Sequence, residues 1–154
     1  MNSENCPFCN TQIIKSSFYE EAGFRAIYNI APVLPGHTLV IPVKHVRSIF
    51  ELSEEEFYNM MSFSRKVIRV LQKAFHAKSF DWTIQEGEEA GQTIEHLHLH
   101  IVPRTEGDLP SPGDWYPELK RNANEYIDSA KRQKLSGEEM GKIVMKLKSV
   151  VKGT

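Results

Sequence analysis

The most informative stretch of the sequence is residues 91–104, GQTIEHLHLHIVPR, in which three histidines alternate with leucines. Alternation with a period of two predicts a β-strand, here over residues 93–103, because successive side chains of a strand point to opposite faces. The leucines would face the core, and a row of three histidines would stand on the other face: His96, His98 and His100. Each histidine has two ring nitrogens that need hydrogen-bond partners when buried, so the row indicates a functional site.

Three kinds of chemistry fit such a row of histidines. Imidazoles on one strand face can bind zinc, although coordination of one ion by three successive i, i+2 positions would strain the geometry. A neutral imidazole can also attack phosphorus and leave again in a second step, and histidine suits this because it is largely uncharged at pH 7. A histidine pair could act as acid and base with no covalent step. The residues by themselves leave all three open.

The strand and helix patterns along the rest of the chain predict an α+β fold, in which helices pack on an antiparallel sheet. Short β-rich runs bounded by Pro and Gly predict three more strands, at 24–30, 38–43 and 79–85, with turns at 32–36 and 86–91.

Two helices are predicted from S-x-x-E capping boxes, in which the serine and glutamate side chains accept hydrogen bonds from N–H groups of the first turn. One helix begins after Ser53, with Glu56 as the paired glutamate, and continues to about residue 77 with a Met and aromatic stripe typical of core. The other begins after Ser136, with Glu139, and has one apolar face.

Two surface features allow more than one interpretation. The loop at 107–119 carries Trp115 and Tyr116, which could cover a substrate or a partner subunit, or pack on their own domain. The glutamates of the 86–91 turn could serve acid–base or magnesium chemistry, but carboxylates clustered in a turn are usually only solvated.

Length and composition describe one ordinary domain of 154 residues, with 19 Lys and Arg against 20 Asp and Glu and a net charge of −1. The near-neutral charge argues against binding nucleic acid through bulk positive charge. No apolar run approaches the roughly 18 residues of a membrane span, and the N-terminus lacks the pattern of a signal peptide. We therefore expect a cytoplasmic protein with no nucleic-acid or membrane partner.

The chain has two cysteines, Cys6 and Cys9, in a C-x-x-C spacing. In a reducing compartment this spacing fits half of a metal site, a redox pair or two unused thiols, and it does not choose among them.

The histidine row resembles the signature of the histidine triad superfamily of nucleotide hydrolases and transferases, His-φ-His-φ-His-φ-φ with φ apolar. The match over residues 96–102 has no departure, and the similarity covers most of 24–104. The arrangement QEGEEAGQT at 85–93 is most similar to the fragile histidine triad branch, the dinucleoside polyphosphate hydrolases. The resemblance implies one histidine triad domain over 1–154, with 1–104 as its core and 105–154 as a loop and helical extension. It also implies that the protein forms a homodimer.

The resemblance also implies a role for each motif residue. His98 would attack the α-phosphorus, giving a nucleotidyl-histidine that water hydrolyses, beside His96 as the first triad histidine. His100 and Gln92 would donate hydrogen bonds to the α-phosphate oxygens, and Gln85 would lie toward the scissile bridging oxygen. The substrate-binding positions would be Ile27 and Leu39 beside the base, Asn29 at the ribose, Thr93, and His37 behind the site.

Four residues of this chain resemble the ligands of a zinc site found in several superfamily members: Cys6, Cys9, His45 and His96. Such a closed Cys₂His₂ set would be structural, anchoring the N-terminus without supplying a Lewis acid. The fragile histidine triad branch generally lacks these cysteines, so the chain combines features of two branches. No organic cofactor is implied, and a divalent cation would enter only with the substrate.

The resemblance implies a nucleotidyl hydrolase that cleaves dinucleoside polyphosphates, of the diadenosine tri- or tetraphosphate type, at the α-phosphate. Alternatives with the same machinery are a nucleoside phosphoramidase and a phosphorylase that intercepts the intermediate with phosphate. Outside this class, the alternatives are a nucleotide-sensing binding protein and a zinc enzyme that uses the triad as ligands.

Overall fold

A computed structural model describes residues 3–114 and 132–153 of the chain. Within these residues, one five-stranded antiparallel sheet, in the order β1-β2-β3-β5-β4, carries two α-helices, so the fold is α+β as predicted. The strands are β1 Ser17–Glu21, β2 Phe24–Tyr28, β3 Thr38–Pro42, β4 Ser79–Ile84 and β5 Leu99–Arg104, and the helices are α1 Glu54–Phe75 and α2 Gly137–Lys152. Of the predicted loop at 107–119, Trp115 and Tyr116 lie outside the described residues.

Both helices begin at the predicted capping boxes. Ser53 and Glu56 cap α1, and Ser136 and Glu139 cap α2, each pair with both reciprocal hydrogen bonds. Helix α1 ends at His76, which adopts a left-handed conformation with φ 55° and is exposed. The two helices contribute apolar side chains to the main core, including Met60, Phe63, Val67, Leu71, Met140, Val144 and Leu147. Within the described ranges, no helix is long and apolar enough to cross a membrane.

The edge strand β1 is an element that the sequence pattern did not predict. It forms a hairpin with β2 through a two-residue turn in which Ala22 and Gly23 have positive φ values of 52° and 81°. Two positive φ values in a two-residue loop match the right-handed twist of a hairpin. The strand has polar sequence, SFYEE, and only Phe18 is fully buried, so it lacks the apolar alternation that would have revealed it.

The predicted strand at 93–103 is too long, because β5 begins only at Leu99. The N–H of Leu97 donates to the carbonyl of Val46 at 2.7 Å, in the connection that follows β3, which takes this part of the chain out of the ladder. His96 therefore lies in a bend and His98 directly precedes the strand. The predicted faces are nevertheless correct, because Leu97 and Leu99 are buried in the core.

An ion-pair cluster holds the C-terminal end of β5. The guanidinium of Arg104 donates two hydrogen bonds to Asp108, at 2.8 and 2.9 Å, and one to Asp81 at 2.7 Å. The bidentate contact with Arg104 lowers the pKa of Asp108 below its usual range.

Candidate active site and metal centre

A cavity of about 770 Å³ lies against the sheet, between a 3₁₀ helix at Thr11–Ser16 and the residues that lead into α2. It has an apolar wall that includes Phe8, Ile13, Ile27, Leu39 and Ile94. Seven of the predicted site residues line the cavity: Ile27, Asn29, Leu39, Gln85, Thr93, His98 and His100.

His98 is held in one tautomer by the backbone. Its Nδ1 lies 2.7 Å from the carbonyl oxygen of His96, and a carbonyl can only accept, so Nδ1 carries the proton. Burial lowers the pKa of His98, which keeps the ring neutral at pH 7 and leaves a lone pair on Nε2. The ring of Phe8 packs edge-on at a centroid distance of 5.4 Å and restricts the imidazole further. A neutral, oriented imidazole with a free lone pair is what attack on phosphorus requires.

His37 and His100 form a second oriented pair. The N–H of Val33 donates to Nδ1 of His37 at 3.2 Å, so the proton of His37 is on Nε2. That Nε2 lies 2.9 Å from Nδ1 of His100 and donates to it, which places the proton of His100 on its own Nε2. Burial lowers the pKa of His37 to about 3 and holds that of His100 well below its usual value, so both rings are neutral.

Two buried hydrogen-bond donors lack an acceptor: Nε2 of His100 and the amide Nε2 of Gln85. Both residues line the cavity, and neither His100 Nε2 nor Gln85 Nε2 has a hydrogen-bond partner although both atoms are buried. Leaving a buried donor unpaired costs about 1–3 kcal/mol, so such groups usually mark a place for a ligand or water. Two unpartnered donors in one cavity fit the oxygens of a phosphate.

Gln92 is not among the residues that line the cavity, and the donor role implied for it stays a prediction. Its Oε1 accepts from the N–H of Gly87 at 2.9 Å, and its Nε2 donates to the carbonyl of Arg47 at 3.2 Å. The side chain thus joins the loop before β5 to the segment that follows β3. Gln85 is the glutamine amide that the fold directs to the cavity.

Residues of β2 and β3 form one apolar part of the cavity lining. Ile27 and Leu39 are paired across these strands and present buried apolar side chains to the cavity. Asn29 is fixed because its Oδ1 accepts from the N–H of Ala31 at 2.9 Å. Phe8, which the sequence analysis did not single out, adds an aromatic wall, and its position between the two cysteines of C-P-F-C is the signal that could have indicated it.

The four residues predicted to bind a metal lie together, with ligand atoms within 4.8 Å of one another: Cys6, Cys9, His45 and His96. Nδ1 of His96 is 3.4 Å from Cys6 Sγ and 3.5 Å from Cys9 Sγ, and Nδ1 of His45 is 3.3 Å from Cys9 Sγ. A tetrahedral ion with bonds of ~2.3 Å to sulfur and ~2.1 Å to nitrogen would separate the two donor types by ~3.6 Å. The donor set therefore fits a tetrahedral metal ion.

The surroundings of this cluster also suit a metal. His96 Nε2 donates to the carbonyl of Pro42 at 3.0 Å, so its Nδ1 presents a lone pair to the two thiols, as is typical of metal-bound histidine. Burial lowers the pKa of His96 to about 4, which keeps the ring neutral. Burial and the neighbouring Cys6 raise the pKa of Cys9 to about 11, so a cation would have to displace thiol protons.

The fold and the site define a class, an α+β protein whose sheet presents oriented histidines to a cavity of about 770 Å³. The HIT domain family matches residues 10–107. The chain is 39% identical over 105 residues to a Schizosaccharomyces pombe protein named bis(5'-nucleosyl)-tetraphosphatase [asymmetrical], covering 68% of this chain and 58% of that one. It is 36% identical over 104 residues to a Dictyostelium discoideum bis(5'-adenosyl)-triphosphatase, covering 68% of this chain and 69% of that one.

A solved structure agrees with these sequence matches. The structure of a Zn-bound histidine triad family protein from Mycobacterium smegmatis has a TM-score of 0.70 and 28% identity, and the match covers 99% of this chain and 96% of that one. The chain belongs to the HIT domain family.

Proposed function

We propose that this protein is a nucleotidyl hydrolase that cleaves dinucleoside polyphosphates of the diadenosine tri- or tetraphosphate type at the α-phosphate. The observation that carries the proposal is the neutral, backbone-oriented His98 beside two unpartnered buried donors, on His100 and Gln85, in one cavity. The names of the two relatives support this substrate class. The match spans only 58% of one relative and 69% of the other. The activity and substrates of this chain are therefore proposed first from its own site, with the names of the relatives as support.

In the first step, the Nε2 lone pair of His98 attacks the α-phosphorus. The N–P bond forms as the bond from phosphorus to the bridging oxygen breaks, and the electron pair of that bond leaves with the departing nucleoside polyphosphate. His100 Nε2–H donates to a nonbridging oxygen, and the amide of Gln85 donates to the bridging oxygen as charge builds on it. The proton on Nδ1 of His98 stays hydrogen-bonded to the carbonyl of His96.

In the second step, water attacks the same phosphorus. The N–P bond breaks, its electron pair returns to Nε2 of His98, and the water loses a proton to solvent, so the product is a nucleoside monophosphate. Asn29 would hold the ribose, Ile27 and Leu39 would enclose the base, and Thr93 would contact the substrate from the loop, while His37 orients His100 from behind.

We propose that the metal is zinc and that its role is structural. Four protein ligands would close its coordination shell, so the ion would anchor the N-terminal segment and His96 without touching the substrate. The zinc-bound family member of similar fold supports this choice of metal.

We extend the proposal to the whole chain as a single domain that works as a cytoplasmic homodimer. Buried Met140, Val144 and Leu147 of α2 share the main core with α1 and the sheet, which supports one domain. Strand β4 is an edge of the sheet and exposes Phe80, which supports pairing of two copies. Light scattering tests the oligomeric state.

Product analysis tests the proposed reaction. Diadenosine tri- and tetraphosphate and adenosine phosphoramidate are incubated with the protein, with and without added phosphate, and the nucleotides are separated. AMP as a product from both dinucleotides, unchanged by phosphate, is the expected result, and ADP that appears only with phosphate would show a phosphorylase instead. Cleavage of the phosphoramidate alone would contradict the proposal, as would nucleotide binding without measurable turnover, which would indicate a sensor.

A further inference from the structure

A short C-terminal segment, residues 132–135, lies along the chain that follows β2. Arg132 Nε donates to the carbonyl of Ala31 at 2.8 Å, and the N–H of Leu135 donates to the carbonyl of Ile30 at 2.9 Å. These contacts fix the segment beside Asn29, and residues from it line the cavity. The C-terminal extension thus completes the wall of the site rather than only packing on the core.

This segment and the 3₁₀ helix at Thr11–Ser16 together form a wall of the cavity that carries positive charge, the positive wall. Lys15, Arg132 and Lys134 all line the cavity, and no carboxylate is among the described residues that line it, although the whole chain has a net charge of −1. The glutamates that follow the segment are engaged elsewhere. Glu139 accepts from Ser136 in the capping box, and Glu138 pairs with Lys142 at 2.6 Å.

The positive wall is electrostatically connected to the phosphate position. Arg132 acts on both His37 and His100, and its charge contributes to the lowered pKa of each ring. The unpartnered Nε2 of His100 and the unpartnered amide of Gln85, both on side chains more than nine-tenths buried, mark where phosphate oxygens would sit. An anion that extends beyond that phosphate would meet the cations of the wall.

We propose that Lys15, Arg132 and Lys134 form a second anion subsite that binds the phosphates beyond the one His98 attacks. The subsite takes ligands with at least two linked phosphates, and through Arg132 and Lys134 the C-terminal extension helps to select polyphosphate substrates over singly phosphorylated ones. This inference rests on the proposed function for the placement of the α-phosphate. Lys15 and Lys134 are exposed, and their flexible side chains can follow phosphates in a chain whose length varies, whereas Arg132 is half-buried and held by Ala31.

Binding of AMP, ADP and ATP to a His98→Asn background, without divalent cations, tests the subsite. The charge-removing variants are Lys134→Gln, Lys15→Gln and Arg132→Gln, and Lys148→Gln is the matched control because Lys148 is exposed on α2 and does not line the cavity. Each subsite variant should weaken the binding of ATP by about fivefold, the size expected for a partly exposed charge contact. The binding of AMP should change by less than about twofold. The salt dependence of ATP binding should also become shallower, because fewer counterions are exchanged.

Arg132→Lys separates charge from structure, because it keeps the charge and loses the Nε hydrogen bond to Ala31. Retained preference for ATP in this variant supports the subsite, whereas the same loss as in Arg132→Gln would give Arg132 a structural role only and remove it from the proposal. Equal weakening of AMP and ATP, or no weakening of ATP in any variant, would overturn the inference. If His98→Asn is unfolded, thermal shifts by the same nucleotides on chains that keep His98 give the same comparison.

The two proposals fail in different ways. A preference for ATP that depends on the three cations, in a protein that does not cleave diadenosine polyphosphates, would contradict the hydrolase proposal and leave the subsite standing. Cleavage of those dinucleotides without any such preference would contradict the subsite and leave the hydrolase proposal standing.

Discussion

Replacement of His37 by phenylalanine tests whether a residue outside the cavity sets the protonation of the one inside it. His37 is fully buried and donates from Nε2 to Nδ1 of His100 at 2.9 Å. Phenylalanine keeps an aromatic ring but removes both contacts: Nδ1 of His100 loses its donor, and the N–H of Val33 loses its acceptor, Nδ1 of His37. His100 is then free to place its proton on Nδ1, where the proton cannot reach a phosphate.

The size of the effect follows from the hydrogen bonds that are lost. One neutral hydrogen bond contributes about 0.5–1.5 kcal/mol, so the population of the correct His100 tautomer, and with it kcat, should fall by up to about tenfold. Unpaired buried groups cost about 1–3 kcal/mol each, and in a chain of this size each kcal/mol lowers Tm by about 2–4 °C. We therefore expect a kcat about two- to tenfold below the wild-type value and a Tm lower by about 5 °C or more.

The same substitution should change the pH dependence of stability. The folded pKa of His37 is about 3, below its unfolded value near 6.5, so the unfolded chain binds a proton that the folded chain does not. Stability from the neutral ring is therefore complete above pH 6.5 and is lost progressively as the pH falls toward 3. Without His37, the free energy of unfolding should fall less steeply in this window, by about 1 kcal/mol per pH unit.

Steady-state kinetics on diadenosine triphosphate and thermal denaturation from pH 4 to 8 measure these effects. His37→Gln retains an amide donor and should lose less activity, and exposed His76→Asn, which tolerates the left-handed backbone at the end of α1, should match the wild type. A kcat for His37→Phe equal to that of the wild type would refute the tautomer argument. A loss as complete as that of His98→Asn would refute it as well, since a positioning residue cannot replace the nucleophile.

The remaining predictions concern the glutamines, the metal, the nucleophile and the end of β5. Gln85→Ala should lower kcat by about a hundredfold, as for a lost transition-state donor, whereas Gln92→Ala should act mainly through stability; equal kcat losses would contradict their placement. Metal analysis of protein purified under reducing, chelator-free conditions should find about one zinc per chain, and Cys9→Ala should lower Tm more than the rate at permissive temperature. Rapid alkaline quench with α-labelled substrate should trap a base-stable, acid-labile nucleotide on the wild type and none on His98→Asn. Asp108→Asn should remove stability that the wild type holds above the unfolded carboxyl pKa and loses as the pH falls through the lowered folded pKa, so the difference in unfolding free energy between the two proteins should shrink as the pH falls below the unfolded value.

Local patterns in the sequence predicted both described helices and four of the five described strands, but missed β1 and made β5 too long. The capping boxes at Ser53 and Ser136 and the apolar spacing behind them predicted both helices, because caps and periodicity depend on neighbours along the chain. Alternation in residues 96–101 predicted which side chains face the core and which face the site. The C-x-x-C and histidine motifs, read through their resemblance to a family, indicated the metal cluster that the structure brings together.

Only the tertiary structure decided which of the motif residues meet in the cavity. Gln85 and Gln92 are the same residue type, seven positions apart, but the amide of Gln92 is taken by the carbonyl of Arg47, a contact with a distant part of the chain. The donor state of His100 depends on His37, which is 63 positions away, and the positive wall depends on Arg132, 101 positions from the carbonyl it binds. Such contacts leave no local pattern, because the folded core brings the two segments together and neither segment has a preference of its own that predicts the other.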